Sequence, residues 1–507
     1  MTDTAHEVPT GFKRWSIVIA AVLGTALFDL TWMIVGVALP HMQGTFSATP
    51  DQISWVMTSF IVGGTMMVSI TGWAATRFGR KNLFVFSMVG NTIATVMCGA
   101  AGSLEAEVFW RFVQGLLSGP LLAIGQSLVI SAFPLERRGF ATGLWGAAGV
   151  GAVVFAPILG GYLIEYVNWR WIFYAVIPIG IAGTLCTLAF VPNEPAKPTR
   201  SLEWTGFAAL MILVGTLQLA LSRGERLEWF ASTEIRINLL IAGLALVVLV
   251  YRMVTVAQPI LERRLFFDKN YLISITFMFL FGALTTLPVV LLPLMLQQIS
   301  GYPAIAAGEV MMGKGIGTMT SLLLVGLMIN RIDPRAILAF GFLSYAGANF
   351  FMSTWTDTVD QWTILWCLVL MGSASGTCYV PIVNISLATL ARHLHTEAIT
   401  FMFLTFNVGS AIGVAAIFAL HTRLSQVNRA ILVEHISETN ELLRMPMVAN
   451  SIDLQSSSGL ASLSAEISRQ ASLIAYVNSY LFIAIAAALV IPLILMLETP
   501  GAENEQR

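Results

Sequence analysis

Fourteen stretches of about 20 mostly apolar residues recur along this chain, each long enough to cross a bilayer as a helix. Their limits are 15–39, 53–75, 83–102, 107–132, 140–164, 171–191, 204–221, 237–256, 271–297, 305–329, 336–354, 362–388, 398–420 and 474–497. Inside hydrocarbon every backbone N–H and C=O must be bonded within its own segment, so such a chain folds as a bundle of spanning helices. The charge content agrees: 11% of residues are charged and 56% hydrophobic, where soluble proteins carry about a quarter charged residues. The first stretch follows Lys13 and Arg14 but is too long for a signal-peptide core and has no small-residue cleavage site, so it stays as a span. A net charge of −1 gives no sign of a nucleic-acid partner. Cys98, Cys186, Cys367 and Cys378 all fall inside apolar stretches, without metal-ligand spacing, and read as small core residues.

Basic residues set the orientation. With the N-terminus inside, Lys13, Arg14, Arg77, Arg80, Lys81, Arg137, Arg138, Arg252, Arg331 and Arg335 all lie on the inner side, while the short outer loops hold Arg170, Arg223, Arg226 and Arg236. An even number of spans puts both termini on that side. The chain also repeats itself. Leu39-Pro40 recurs as Leu292-Pro293, Pro50 as Pro303, Gly72 and Arg77 as Gly326 and Arg331, and Gly115 and Gly119 as Gly372 and Gly376, at offsets of 253 to 257 residues. Two parallel six-span halves follow, an architecture of transporters, with the binding site at their interface. The expected division is a tail of residues 1–14, a first half over 15–191, a linker with two inserted spans over 192–270, a second half over 271–497 and a tail of 498–507. Within the second half, the polar outer loop 421–473 has apolar residues at helical spacing on both sides of Ser456-Ser457-Ser458-Gly459. That pattern predicts helical arms extending spans thirteen and fourteen around a flexible middle, either packed on their own domain or docking a partner.

Asp29 lies in the first span, in the stretch LFDLTWMIVGVALP, and its repeat position is Gly282. A carboxylate within a span is costly and marks a proton or ion path. Asp29 is ~15 Å below the outer boundary, and Arg111, early in span four, is ~6–9 Å deep; the reading has their side chains meeting or sharing a water. Competition between burial and a nearby guanidinium is what a proton-exchange site needs. Gln126, Asn384 and Asn407 are amides in spans, suited to tying helices together or to touching substrate. Trp32, Trp55, Trp145, Phe155, Tyr345, Tyr379 and Phe401 are candidates to line an apolar pocket for a flat compound, or are ordinary core. Lys314 is an intramembrane lysine and so a functional candidate, while Glu309 reaches the headgroups. Gly308-x4-Gly313-Lys314-Gly315 imitates a phosphate loop but follows no strand and lacks the final Ser or Thr.

Several motifs resemble the major facilitator superfamily, and within it the fourteen-span drug:proton antiporter family. LFDLTWMIVGVALP is similar to that family's first-helix signature around its acidic residue. GWAATRFGRK, with Gly72, Arg77, Gly79 and Arg80, resembles the inner-loop gating motif, and Arg111 to Gly115 the fourth-helix arginine motif. Gly143 with Ala156-Pro157-Ile158-Leu159-Gly160-Gly161 resembles the fifth-helix antiporter motif, and Arg223-Gly224 with Trp229-Phe230 the loop between the inserted spans. Thr76 stands where the gating motif has an aspartate, and Ala152 and Ala156 replace two antiporter glycines.

The resemblance implies an all-α membrane protein with the major facilitator fold, two six-helix bundles plus two inserted helices. It implies a proton-driven exporter of lipophilic compounds in the inner membrane, with both termini cytoplasmic and no cofactor besides the proton gradient. Asp29 and Arg111 would couple the proton, and a periplasmic adaptor and outer-membrane channel are candidate partners. A facilitator of one metabolite on the same fold remains an alternative. An intramembrane enzyme would need a metal or nucleophile cluster, and His393-Leu394-His395 with Glu397 lacks metalloprotease spacing. A channel would show a selectivity loop, and none is visible.

Overall fold

A computed structural model describes residues 11–193, 203–224, 227–256, 262–391, 394–434, 436 and 456–497. The terminal tails and the middle of the outer loop lie outside the described residues. Among the described residues there are fourteen long helices: α1 Gly11–Phe46, α2 Trp55–Phe78, α3 Arg80–Ala100, α4 Leu104–Ala132, α5 Arg138–Tyr166, α6 Trp171–Phe190, α7 Trp204–Arg223, α8 Thr233–Thr255, α9 Lys269–Gln298, α10 Ala304–Met328, α11 Pro334–Met352, α12 Gln361–Ala388, α13 His395–Glu434 and α14 Ser457–Met496. Thirteen of these are long and apolar enough to cross a membrane. The other, α11, is a 19-residue helix that opens on Pro334 and Arg335 and carries the buried Asn349.

The buried apolar side chains form two large cores, one from residues 17–191 and one drawn mainly from residues 265–497. The glycine repeat has a physical cause. A methyl group at Gly115 of α4 would strike the Phe60 carbonyl of α2, and one at Gly119 the Gly64 carbonyl at 2.8 Å. In the other bundle, Gly372 of α12 meets the Lys314 carbonyl of α10, and Gly376 meets Ser321 and Leu322. The same close helix pair is built twice, and only glycine lets the backbones approach so far. The inserted α7 packs on α2 and α13 through Ile70, Leu210, Val214 and Leu404. Beyond it α8 exposes Leu240, Leu244, Val247, Tyr251 and Val254, a face suited to lipid tails. Arg252 and Glu203 tie α8 to the start of α7 with a 2.5 Å ion pair.

Two points differ from the sequence reading, the end of the first span and the serine triplet, while the arms are helical as expected. The first span does not stop at Pro40, because α1 runs through it to Phe46; Pro293 likewise lies inside its helix. A proline near a helix end costs one backbone bond and a local bend, which neighbouring helices absorb. The arms are continuous helix at both edges of the outer loop, residues 421–434 in α13 and 457–473 in α14. The serine triplet is not a flexible middle, since Ser456 accepts from Gly459 N at 3.0 Å and caps α14.

Candidate functional site

The two bundles meet along two helix pairs, and both contacts favour one end of the molecule. Between α5 and α10, Gly139 abuts Ile329, Gly143 abuts the Leu322 carbonyl, and Gly315 abuts Val154. Seven residues further along each helix, on the same face, Gly161 and Gly308 have no atom within 4 Å of where a Cβ would sit. Between α2 and α13, a methyl group at Gly72 would lie 2.8 Å from Glu397 Cα. Hydrogen bonds close the same end: Ser127 Oγ with Thr396 Oγ1 at 2.9 Å, Asn330 Nδ2 to the Glu136 carbonyl, and, deeper, Tyr379 OH to Gln126 Oε1 at 3.2 Å. Arg80 donates to Ser127 at 3.0 Å, and Gly79 makes the preceding turn with φ of 85°, which suits glycine. Arg77 is exposed at this end. The bundles are thus shut at the end carrying Arg77, Arg80, Arg137 and Arg331 and parted at the end carrying the arms.

Asp29 is half-buried on α1, with Oδ2 3.0 Å from where a methyl group on Gly149 of α5 would lie. Glycine at 149 therefore makes the space that the carboxylate occupies. Gly160 lets the same pair of helices close again one level up, against Ile34. Pro157 lies within α5, and its side chain is outside the described residues.

Arg111 is not the partner of Asp29, which corrects the pairing drawn from depth alone. Its side chain is fully buried inside the first bundle. Nε donates to the Val56 carbonyl at 3.2 Å, and Nη1 donates to the Thr31 carbonyl at 3.0 Å and to Gln114 Oε1 at 2.5 Å. The guanidinium lies 4.3 Å from the Phe60 ring centroid. Beyond Gln114 the network runs to Thr95 at 2.7 Å, to Asn91 and to Ser118. Thr31 and Asp29 are two residues apart, about 200° around α1, so the guanidinium and the carboxylate sit on different sides of that helix.

The sequence reading missed Glu107. It lies one turn before Arg111 on α4, is fully buried, and neither carboxylate oxygen has a hydrogen-bond partner, nor does Arg111 Nη2. The i, i+4 spacing of Glu107 and Arg111 was the available signal. Glu397, considered in the sequence only beside His395 as a metal-site candidate, packs against Gly72 and accepts from Glu262 N at 2.7 Å.

The remaining candidates divide. Trp145 bonds Thr25 at 2.8 Å, and its ring meets Phe403 of the other bundle at 5.9 Å, so it lies at the interface with Gln126 and Tyr379. Trp32 and Asn384 are half-buried. Asn407 spends its amide on the Phe403 carbonyl of its own helix. Phe401 stacks on Phe266 at 5.1 Å beside α7. Two aromatics are not pocket residues. Tyr345 is buried in the second core and donates to the Leu284 carbonyl at 2.7 Å. Phe155 is 65% exposed, on one stripe with Ile158, Leu159, Tyr162 and Tyr166. That stripe faces away from both α1 and α10, which the 100° step per residue fixes once Gly149 and Val154 are placed.

The Major Facilitator Superfamily profile matches residues 21–414. The multidrug export protein EmrB of Escherichia coli K12 is 32% identical over 429 residues, covering 83% of each chain. The fatty acid resistance protein FarB of Neisseria gonorrhoeae is 32% identical over 427 residues, covering 82% of each. Among solved structures, the human organic anion transporter MFSD10 aligns with a TM-score of 0.61 at 13% identity, over 94% of this chain and all of that one. The proton:xylose symporter XylE aligns at 0.60 and 14%, over 97% and 99%. These two likenesses speak to the fold alone. With two bundles around a one-sided cleft and a profile match over most of its length, this chain belongs to the Major Facilitator Superfamily of membrane transporters.

Proposed function

We infer that this transporter is a proton-driven exporter of lipophilic compounds that works by alternating access. The observation that carries the reading is Asp29: a half-buried carboxylate within a span, set against Gly149 of α5, the helix that meets the other bundle, with no ion-pair partner among the described residues. A charge held there without a counter-ion is costly and is kept where it is used. Likeness to multidrug export proteins and to a fatty acid resistance protein supports lipophilic cargo. On the positive-inside rule the basic end is cytoplasmic, so the cleft faces outward and both termini lie on the cytoplasmic side of the inner membrane. In this state outer protons load Asp29; after the bundles rock, the proton leaves to the cytoplasm and cargo takes its place. Arg111 acts through the backbone, holding the Thr31 carbonyl two residues from Asp29. The arms of α13 and α14 are the surface for an adaptor that continues the path outward to an outer-membrane channel.

The test is transport in proteoliposomes with an imposed pH gradient. Asp29→Asn should bind cargo and exchange it down its own gradient while failing to concentrate it. Wild-type accumulation by that variant would remove Asp29 from the coupling.

A further inference from the structure

The site of Asp29 leaves one intramembrane charge without a use. Lys314 lies ten residues into α10, ~15 Å from its arm-side end. Its neighbours on the helix fix where it points. Gly313 and Gly317 pack on α12, Gly315 on α5, and Ile316 is exposed to lipid. Lys314 stands about 200° from Ile316, on the inward face between the α12 and α5 contacts. Its Nζ donates to the Thr285 carbonyl at 2.9 Å. Thr285 ends the first segment of α9, where the helix breaks before Leu287-Pro288. Tyr345 already serves the neighbouring Leu284 carbonyl.

Capping that break accounts for one of the three ammonium hydrogens. That bond calls for one donor and not for a charge. Among the described residues no carboxylate lies within ion-pair reach of Lys314. One turn below Thr285 on α9, Phe281 stands with Phe406 at 5.8 Å and Tyr379 at 6.3 Å, a cluster of aromatic faces continuing toward Trp145 and Phe403. An ammonium with spare donors above an aromatic wall matches a molecule with one anionic oxygen group and a flat or chain-like apolar body.

We propose that Lys314 is the headgroup anchor of a binding site for lipophilic carboxylic acids in the second bundle. The anionic oxygens accept from the two remaining N–H groups, and the apolar body lies along the half-buried Tyr379 and Phe406, which pack on Phe281. The proposal gives a substrate class to the exporter inferred above and rests on that reading for its physiological meaning, but the binding itself does not depend on proton coupling.

Equilibrium binding to the purified protein, without any gradient, tests it with three ten-carbon probes that share a tail: decanoate, decanol and decyltrimethylammonium. Wild-type protein should prefer decanoate to decanol by about ten- to hundredfold, the worth of a charge-assisted hydrogen bond in a buried site. Lys314→Gln retains a donor for the Thr285 carbonyl, and should abolish the preference, leave the decanol affinity unchanged and raise that for decyltrimethylammonium, whose like charge is no longer repelled. Lys314→Arg should keep most of it. Equal loss of all three probes in Lys314→Gln would make Lys314 a structural cap only, and an unchanged decanoate preference would place the anion elsewhere; either result overturns the proposal. Decanoate preference retained alongside a fully coupled Asp29→Asn variant would instead overturn the proton reading and leave the anion site standing.

Discussion

Replacing Arg111 with methionine separates a structural arginine from one that works in the cleft. The change removes donors from three buried acceptors at once, the Val56 and Thr31 carbonyls and Gln114 Oε1, and it removes the contact with the Phe60 ring. The two carbonyls lie inside α1 and α2 and keep their helical N–H donors, so the acceptor left short of a donor is Gln114 Oε1, at a cost of about 1–3 kcal/mol, and the ring contact is worth about 0.5–2 kcal/mol. These losses are not additive, because the methionine also relieves the burial of a charge. The expected net is about 3–5 kcal/mol, the usual result of removing one member of a buried charged group. Glu107, one turn away with both oxygens unpartnered, loses its nearest positive charge. Equilibrium unfolding in mixed micelles should therefore rank wild type above Arg111→Lys above Arg111→Met, since lysine keeps the charge and reaches one acceptor. Adding Glu107→Gln to Arg111→Met should recover part of the loss by removing the stranded carboxylate. A value for Arg111→Met within about 0.5 kcal/mol of wild type, the range of an ordinary surface change, would refute the burial argument and return Arg111 to the cleft.

Other outcomes follow from the contacts between bundles. In a background free of native cysteines, Ser127→Cys with Thr396→Cys should crosslink readily, and adding Gly143→Val should cut the yield severalfold, because its side chain collides with the Leu322 carbonyl. Gly161→Cys and Gly308→Cys should react with an impermeant maleimide from the arm side, while Ser127→Cys is protected; equal labelling would contradict a one-sided cleft. Arg469→Ala should speed proteolysis of the α14 arm without changing transport by the isolated protein, as it deletes the contacts of Arg469 with Asp357 and the Ile299 carbonyl, each at 3.3 Å, and with Glu466 at 2.8 Å.

What the sequence disclosed, and what it hid, follows from the geometry of a helix. The spans were legible because hydrocarbon demands unbroken apolar stretches. The glycine repeat was legible because Gly115 and Gly372 each stand where a Cβ would enter a facing backbone. Rotation about the helix axis was not legible. Asp29 and Arg111 were placed at compatible depths, yet depth leaves open which side of α1 each one meets, and Thr31 rather than Asp29 faces Arg111. Phe155 failed for the same reason: aromatic character says nothing about which face of α5 carries it until Gly149 and Val154 are fixed. Glu107 escaped notice because a carboxylate in the first turn of a span reads as a headgroup contact, and only packing shows that it is sealed inside.

The closed end is held in a way that fits a moving interface. Where α5 meets α10, Gly139, Gly143, Gly315 and Gly326 set bare backbone against Ile329, the Leu322 carbonyl, Val154 and the Gly139 carbonyl, so the two helices approach closely beside an apolar cluster of Ala147, Leu322, Val325 and Ile329. The cross-bundle bonds Ser127–Thr396, Gln126–Tyr379 and Asn330–Glu136 are hydrogen bonds between groups that are uncharged at the contact, each worth about 1 kcal/mol net. Breaking these three bonds therefore costs only a few kcal/mol in total. A shift from one strongly favoured state to the other takes about 5.5 kcal/mol of differential binding. A single proton on Asp29, or a carboxylate on Lys314, is of the right order to contribute a large share of it. Both charges lie beside α5 or its α10 partner, so under the alternating-access function proposed above their occupancy would be registered where the two bundles meet.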